Sequence, residues 1–176
     1  MPPSGAPGTP ALPPAPTPDG SAGRAVIDTN VWLDLYLYDD PGAQALAHAL
    51  AQGRLQALRT PGTDDELQRV LARPVFAQRL GRRVPGADPV AAAQGLIQRW
   101  QNIAIEMAQR GACALVCRDP DDQKFLDLAC GAGAAWLFTK DRALLSLAAK
   151  ARRAGLAIVV PSAYRPDARQ DGIGYR

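Results

Sequence analysis

Residues 24–30 read Arg24-Ala25-Val26-Ile27-Asp28-Thr29-Asn30, a short apolar run that stops at an acid and a polar turn. Such a run, bounded by turn residues, fits a strand buried on both faces. After it, residues 31–38 are apolar or aromatic at nearly every position, as a buried first helix would be. Residues 41–52 then place Leu46, Ala49 and Leu50 on one helical face, with Gly53 as a stop. Residues 55–59 predict a second strand.

The same alternation continues. Residues 63–72 predict a helix with Thr63 as N-cap, Glu66 completing a capping box, and Leu67, Val70 and Leu71 inward. Residues 75–80 predict a short helix before a basic loop at Arg82 and Arg83. Asp88 and Pro89 open a long helix to about residue 110, with Val90, Ala93, Ile97, Trp100, Ala104 and Met107 at spacings of three and four. Residues 113–117 predict a third strand, and Asp119-Pro120-Asp121-Asp122 a turn into a helix through residue 132. Residues 136–139 predict a fourth strand, 141–153 a helix ended by Gly155, and 156–160 a fifth strand stopped by Pro161. Strands alternating with helices predict an α/β fold: a mainly parallel sheet of about five strands, covered on both faces, with right-handed connections.

The 176 residues suit one domain. Residues 1–23 hold eight prolines in the first eighteen positions and are expected to form a disordered tail. Residues 24–164 form the expected domain and 165–176 a flexible C-terminal tail. The net charge is +3, and neutralising four acids by metal would add four more positive charges, which suits a polyanionic substrate. Cys113 and Cys117 lack the partners a zinc site needs, since the single histidine, His48, is distant in sequence. The odd cysteine count predicts reduced thiols in a cytoplasmic core. No signal peptide or membrane-length apolar run is evident, so a soluble, cytoplasmic protein is expected.

Ligands of an open parallel sheet bind beyond the carboxyl ends of its strands. Asp28 closes the first strand, Asp141 lies just past the fourth, and Asp122 begins the helix after the third; Glu66, after the second, can join them. Singly, each reads as a helix cap or a first-turn acid. Together at one rim they repel unless a cation is present, and hard carboxylate oxygens suit Mg²⁺ or Mn²⁺. That chemistry points to phosphodiester hydrolysis with metal-activated water. Asn30 and Thr139 stand beside the acids as supports, and Lys140 and Arg142 flank Asp141 where the phosphates of a polyanionic substrate would lie, with Arg82 and Arg83 as further basic candidates.

The ordered set Asp28-Thr29-Asn30, Glu66-Leu67-x-x-Val70-Leu71, Asp119-Pro120-Asp121-Asp122-x-Lys124-Phe125-Leu126 and Thr139-x-Asp141 resembles the PIN-domain family, in particular its bacterial toxin-like (VapC-like) branch. The resemblance covers about residues 24–164. It implies a Rossmann-like three-layer fold and a Mg²⁺- or Mn²⁺-dependent ribonuclease, frequently a homodimer, blocked by a small antitoxin. Position by position, Asp28, Glu66, Asp122 and Asp141 match the metal-binding acids, and Asn30 and Thr139 the polar supports. Asp119 competes with Asp122, with Asp121 also open; Asp64 and Asp65 blur the second position. A silent binding module of the same fold, or an RNA-processing or DNA-directed nuclease, are the competing readings. A phosphorylated receiver is set aside because Asp28 is followed by Thr-Asn rather than by a paired acid.

Overall fold

The strand formed by residues 24–27 is the centre of the molecule because both of its faces are apolar. The computed structural model describes residues 23–83, 88–107 and 113–166. In it, β1 (Gly23–Ile27) is flanked by β2 (Leu55–Arg59) and β4 (Trp136–Phe138), with β3 (Ile105–Glu106) and β5 (Ala157–Val159) outermost. The order is β3-β2-β1-β4-β5 and every pairing is parallel. The register sets Val26 opposite both Leu58 and Leu137, and Ile27 opposite Phe138.

Side chains alternate across a strand, and here they feed two cores. Ala25 and Ile27 face one core, where α1 (Thr29–Leu33), α2 (Gln44–Ala51), α3 (Pro61–Leu71), α4 (Pro74–Arg83) and α5 (Pro89–Ile103) pack. Val26, Leu58, Leu137 and Ile158 face the other, beneath α6 (Gln123–Gly131), α7 (Arg142–Leu145) and α8 (Ala148–Arg153). This is the expected three-layer α/β sandwich. Phe138 and Phe125, both fully buried, fill the two sides; truncating such a ring to Ala costs about 3–5 kcal/mol.

The chain leaves β1 toward β2 and β3, then crosses back to β4 and β5. The strand order therefore reverses between β1 and β4, where an open α/β sheet leaves a crevice at its carboxyl ends.

Several boundaries differ from expectation, each for a physical reason. The N-cap of α3 is Thr60, not Thr63. Pro61 occupies the first helical position, Thr60 Oγ1 accepts from the Thr63 N–H at 3.4 Å, and Thr63 Oγ1 accepts from the Thr60 N–H at 2.9 Å. The capping box thus closes without Glu66. The helix from Pro89 ends at Ile103 instead of near residue 110, because the next residues leave it to pair with β2. There Ile105 and Glu106 form the third strand, and residues 113–117 do not. Arg82 and Arg83 end α4 rather than forming a loop. The first helix passes into a π-helical turn at Asp34–Tyr38, and the expected helix 141–153 breaks at Ser146 and Leu147.

The cysteines also differ from expectation: Cys113 and Cys130 form a disulfide, with Cα atoms 5.6 Å apart, and Cys117 is a buried free thiol. Folding α6 back along residues 113–117 brings its last turn to Cys113, a proximity that sequence spacing does not show. Of the two expected tails, Gly23 begins β1 and Arg165 and Pro166 follow the last helical turn; residues 1–22 and 167–176 lie outside the described residues. Among the described residues, no helix is long and apolar enough to cross a membrane.

Candidate functional site

Asp28 is the residue at which β1 becomes α1. It caps that helix: its Oδ1 accepts from the Asn30 N–H at 3.2 Å, while its Oδ2 accepts from the Thr139 hydroxyl at 2.7 Å. Thr139, fully buried at the end of β4, also accepts from the Asp141 N–H at 2.9 Å. One hydroxyl thus fixes the first acid against the fourth, across the point where strand order reverses. Asp141 caps α7, its Oδ1 accepting from the Ala143 and Leu144 N–H groups at 2.6 and 3.1 Å.

Asp119 begins the 3-10 turn Pro120–Asp122, its Oδ1 accepting from the Asp121 N–H at 3.0 Å. Asp122 follows, half-buried, and its carboxylate caps no helix. Glu66 projects from α3 and ion-pairs with Lys124 of α6. Asp121 is exposed, as is Asp65. Asp64 is buried in a different setting: Arg59 lies 2.5 Å from its Oδ2, and the Trp100 indole N–H donates to its Oδ1 at 3.1 Å. The ambiguity at the second acid is narrowed accordingly, since Asp64 is engaged in the layer seam.

The acids feel one another. Burial raises the proton affinity of Asp28; the bonds from Thr139 and Asn30 partly offset this, and Glu66 and Asp141 add to it. Asp122 is pushed up to about 7, first by burial and then by Asp141, Asp28, Asp119 and Glu66. The structure therefore brings Asp28, Glu66, Asp122 and Asp141 within electrostatic reach of one another, with Asp119 alongside.

A family model described as PIN domain matches residues 24–143, more than half of the sequence. The chain belongs to the PIN domain family. No curated protein matches it significantly. Among solved structures it is similar to the crystal structure of VapBC2 from Rickettsia felis bound to a DNA fragment from their promoter. That similarity has a TM-score of 0.49 at 12% identity, covering 77% of this chain and 96% of that one.

The donor set of this PIN domain suits a hard cation, although no three His, Cys, Asp or Glu side chains among the described residues form a ready-made cage. Mg²⁺ does not require one: it keeps several waters and is commonly held by one or two carboxylates together with substrate phosphates. A positive charge at this rim would also relieve the repulsion that, after burial, raises Asp122. The carboxylates at this rim are Asp28 and Asp141, joined through Thr139, and Asp122, Glu66 and Asp119 within their field.

The basic candidates are placed differently from one another. Lys140 Nζ lies 2.7 Å from Asp34 and 2.8 Å from Asp40, so its charge is already compensated. Arg142 is exposed at the first turn of α7, and Arg82 is exposed on α4. Asn30 supports Asp28 through its backbone N–H, and its own residue surface is exposed.

Sequence reasoning passed over three residues. Lys124 was visible inside the acidic motif, but its pairing with Glu66 depends on how α3 meets α6. Gln123 and Asp127 carried no signal beyond helical spacing, yet both bond to the segment ahead of Asp119.

Proposed function

We propose that this PIN domain is a divalent-metal-dependent endoribonuclease, the toxin component of a type II toxin–antitoxin pair restrained by a small antitoxin. One observation carries the nuclease reading: acids just past β1 and β4, on α3 and in the turn before α6 lie within electrostatic reach of one another at the reversal point of the sheet, and Asp122 among them is raised to about 7, first by burial and then by the other four. A site that keeps such repulsion suits a cation, and an acidic rim that holds a divalent cation suits a phosphodiester. Membership of the PIN family and the ordered motif support the toxin branch. The same reading includes Mg²⁺ or Mn²⁺ as the ion, a homodimer and action in the cytoplasm.

A divalent cation at the rim supplies Lewis acidity toward a phosphate oxygen and makes water easier to deprotonate. The protein contributes the placement. Thr139 and the Asn30 N–H hold both oxygens of Asp28, so this acid cannot turn away from the rim. The α7 N–H groups hold Asp141 by one oxygen. Lys124 holds Glu66 directed toward α6. Asp122 would stand at the ion beside Asp28 and Asp141, with the cation offsetting the charge of its neighbours. Arg142 is exposed beside Asp141, where it can meet the RNA backbone.

The test is induction of the full chain in bacteria beside its Asp28→Asn variant, scoring growth and RNA integrity. Growth arrest with RNA fragmentation that depends on Asp28 is expected. An RNA pool that stays intact with the parent would leave a silent binding module, and DNA breakage in its place would indicate a DNA-directed nuclease.

A further inference from the structure

Residues 113–117 carry the burial pattern of a strand but, among the described residues, belong to no sheet. Cys113, Leu115 and Cys117 point inward while Ala114 and Val116 point outward, Val116 being 74% exposed. This is the period-two burial of a strand, but among the described residues no strand pairs with it. Backbone groups at partly buried positions need partners, and here side chains of α6 supply them. Gln123 Oε1 accepts from the Cys117 N–H at 2.7 Å, and Gln123 Nε2 donates to the Leu115 carbonyl at 3.0 Å. The same Nε2 donates to Asp127 Oδ1 at 2.9 Å, which in turn accepts from the Cys113 N–H at 2.9 Å.

The segment leads directly into the acidic turn. Two residues after Cys117 comes Asp119, and Asp122 lies next to Gln123. The clamp therefore ends where the acids begin. The Cys113–Cys130 disulfide anchors the far end of the same segment to the last turn of α6.

We propose that Gln123, with Asp127 behind it, is a positioning residue that replaces a missing strand ladder and sets Asp119 and Asp122 at the metal rim. The proposal rests on the nuclease reading for its consequence and on the hydrogen bonds alone for its geometry. A primary amide is needed at 123, because that position both accepts from one backbone group and donates to another. At 127 an acceptor oxygen suffices, so the charge is dispensable.

Three variants of the full chain test this: Gln123→Leu, which removes both functions; Gln123→Glu, which keeps the acceptor and loses the donor; and Asp127→Asn, which keeps an acceptor. The measurements are amide hydrogen exchange at Cys117, Mn²⁺ affinity by calorimetry, and kcat and KM for RNA cleavage. Gln123→Leu is expected to speed Cys117 exchange, to weaken Mn²⁺ binding by about tenfold, and to lower kcat with KM for RNA nearly unchanged. Gln123→Glu should show the same changes with Cys117 exchange less affected, and Asp127→Asn should match the parent throughout. Parent-like Mn²⁺ affinity in Gln123→Leu overturns the proposal, as does damage in Asp127→Asn equal to that in Gln123→Leu. If the parent binds no Mn²⁺ and cuts no RNA, the nuclease reading fails instead. Cys117 exchange then decides the clamp: unchanged exchange in Gln123→Leu overturns it, and faster exchange supports it.

Discussion

Asp64 and Asp122 are both acids near a helix start at the carboxyl edge of the sheet, yet their surroundings are opposite. Asp64 lies between the Arg59 guanidinium and the Trp100 indole N–H, and Arg59 also reaches Glu106 at 2.8 Å and the Ala104 carbonyl at 3.2 Å. Every charge in that network has a nearby opposite. It joins α3, β2, β3 and α5, so its product is a fixed seam. Asp122 is raised to about 7, first by burial and then by Asp141, Asp28, Asp119 and Glu66. Lys124 pairs with Glu66, and Lys140, next to Asp141 in sequence, with Asp34 and Asp40. A buried acid with its own cation holds the fold. Acids that repel across a crevice cost the fold stability and are kept for something that binds there.

This contrast is open to breakage by substitution, and the largest effect is expected at the rim. Asp28→Asn should lower RNA cleavage by about 10³-fold, the loss of several kcal/mol of transition-state stabilisation, while circular dichroism stays that of the parent. Cleavage by Asp28→Asn at the parent rate would remove Asp28 from the site.

At the seam the effect falls on stability. Asp64→Ala leaves Arg59 and the Trp100 N–H without their carboxylate, and urea unfolding should show a loss of about 3 kcal/mol. At low temperature the surviving folded fraction should still cut RNA. A variant as stable as the parent would mean that the ion pair does not hold the seam.

Asp122 should respond in the opposite direction. Its folded proton affinity, near 7, lies above the ordinary carboxylate value of 3.8, so between these pH values the folded protein holds a proton that the unfolded chain releases. The stability this gives is full below about pH 4 and is lost as pH rises through about 7. In EDTA, Tm should therefore fall over that window, and Asp122→Asn should flatten the fall and melt higher than the parent at pH 8. A parent Tm that rises from pH 4 to 7, with no difference in Asp122→Asn, would contradict the repulsion described here.

The smallest effect concerns the basic side chains. Lys140 is held by Asp34 and Asp40 whereas Arg142 is exposed. Arg142→Ala should reduce the salt slope of RNA binding by about 0.7, one single-strand phosphate contact. Lys140→Ala should change it less. The reverse ranking would show that Lys140 leaves its acids for the RNA.

How much of this was legible beforehand follows from what each feature depends on. β1, β4 and β5 announce themselves because strands buried on both faces are apolar at their centres, as Ala25-Val26-Ile27 and Trp136-Leu137-Phe138 are, and β2, although it carries Gln56 and Arg59, follows the stop at Gly53. β3 did not, because Ile105 and Glu106 continue a helical pattern and become a strand by pairing with Leu58 and Arg59. Conversely, residues 113–117 have strand periodicity but, among the described residues, no strand pairs with them, a fact that tertiary structure alone reveals. The acids were legible as an ordered motif, and Thr139 as their support. Their mutual coupling was legible through topology, since strand ends converge. The partners were not: Lys124 on Glu66, Gln123 on Cys117 and Asp34 with Asp40 on Lys140 all join segments distant in space-blind reading. The Cys113–Cys130 pairing was hidden for the same reason.

The central claim is that the rim acids bind a divalent ion in order to cut RNA. Its most direct measurement is cleavage of an end-labelled single-stranded RNA by the purified full chain, stripped with EDTA and then restored with Mn²⁺, beside Asp28→Asn. The account predicts no cleavage after stripping, recovery with Mn²⁺, and no recovery in the variant. Cleavage that persists in EDTA, or that Asp28→Asn carries out as well as the parent, would contradict it.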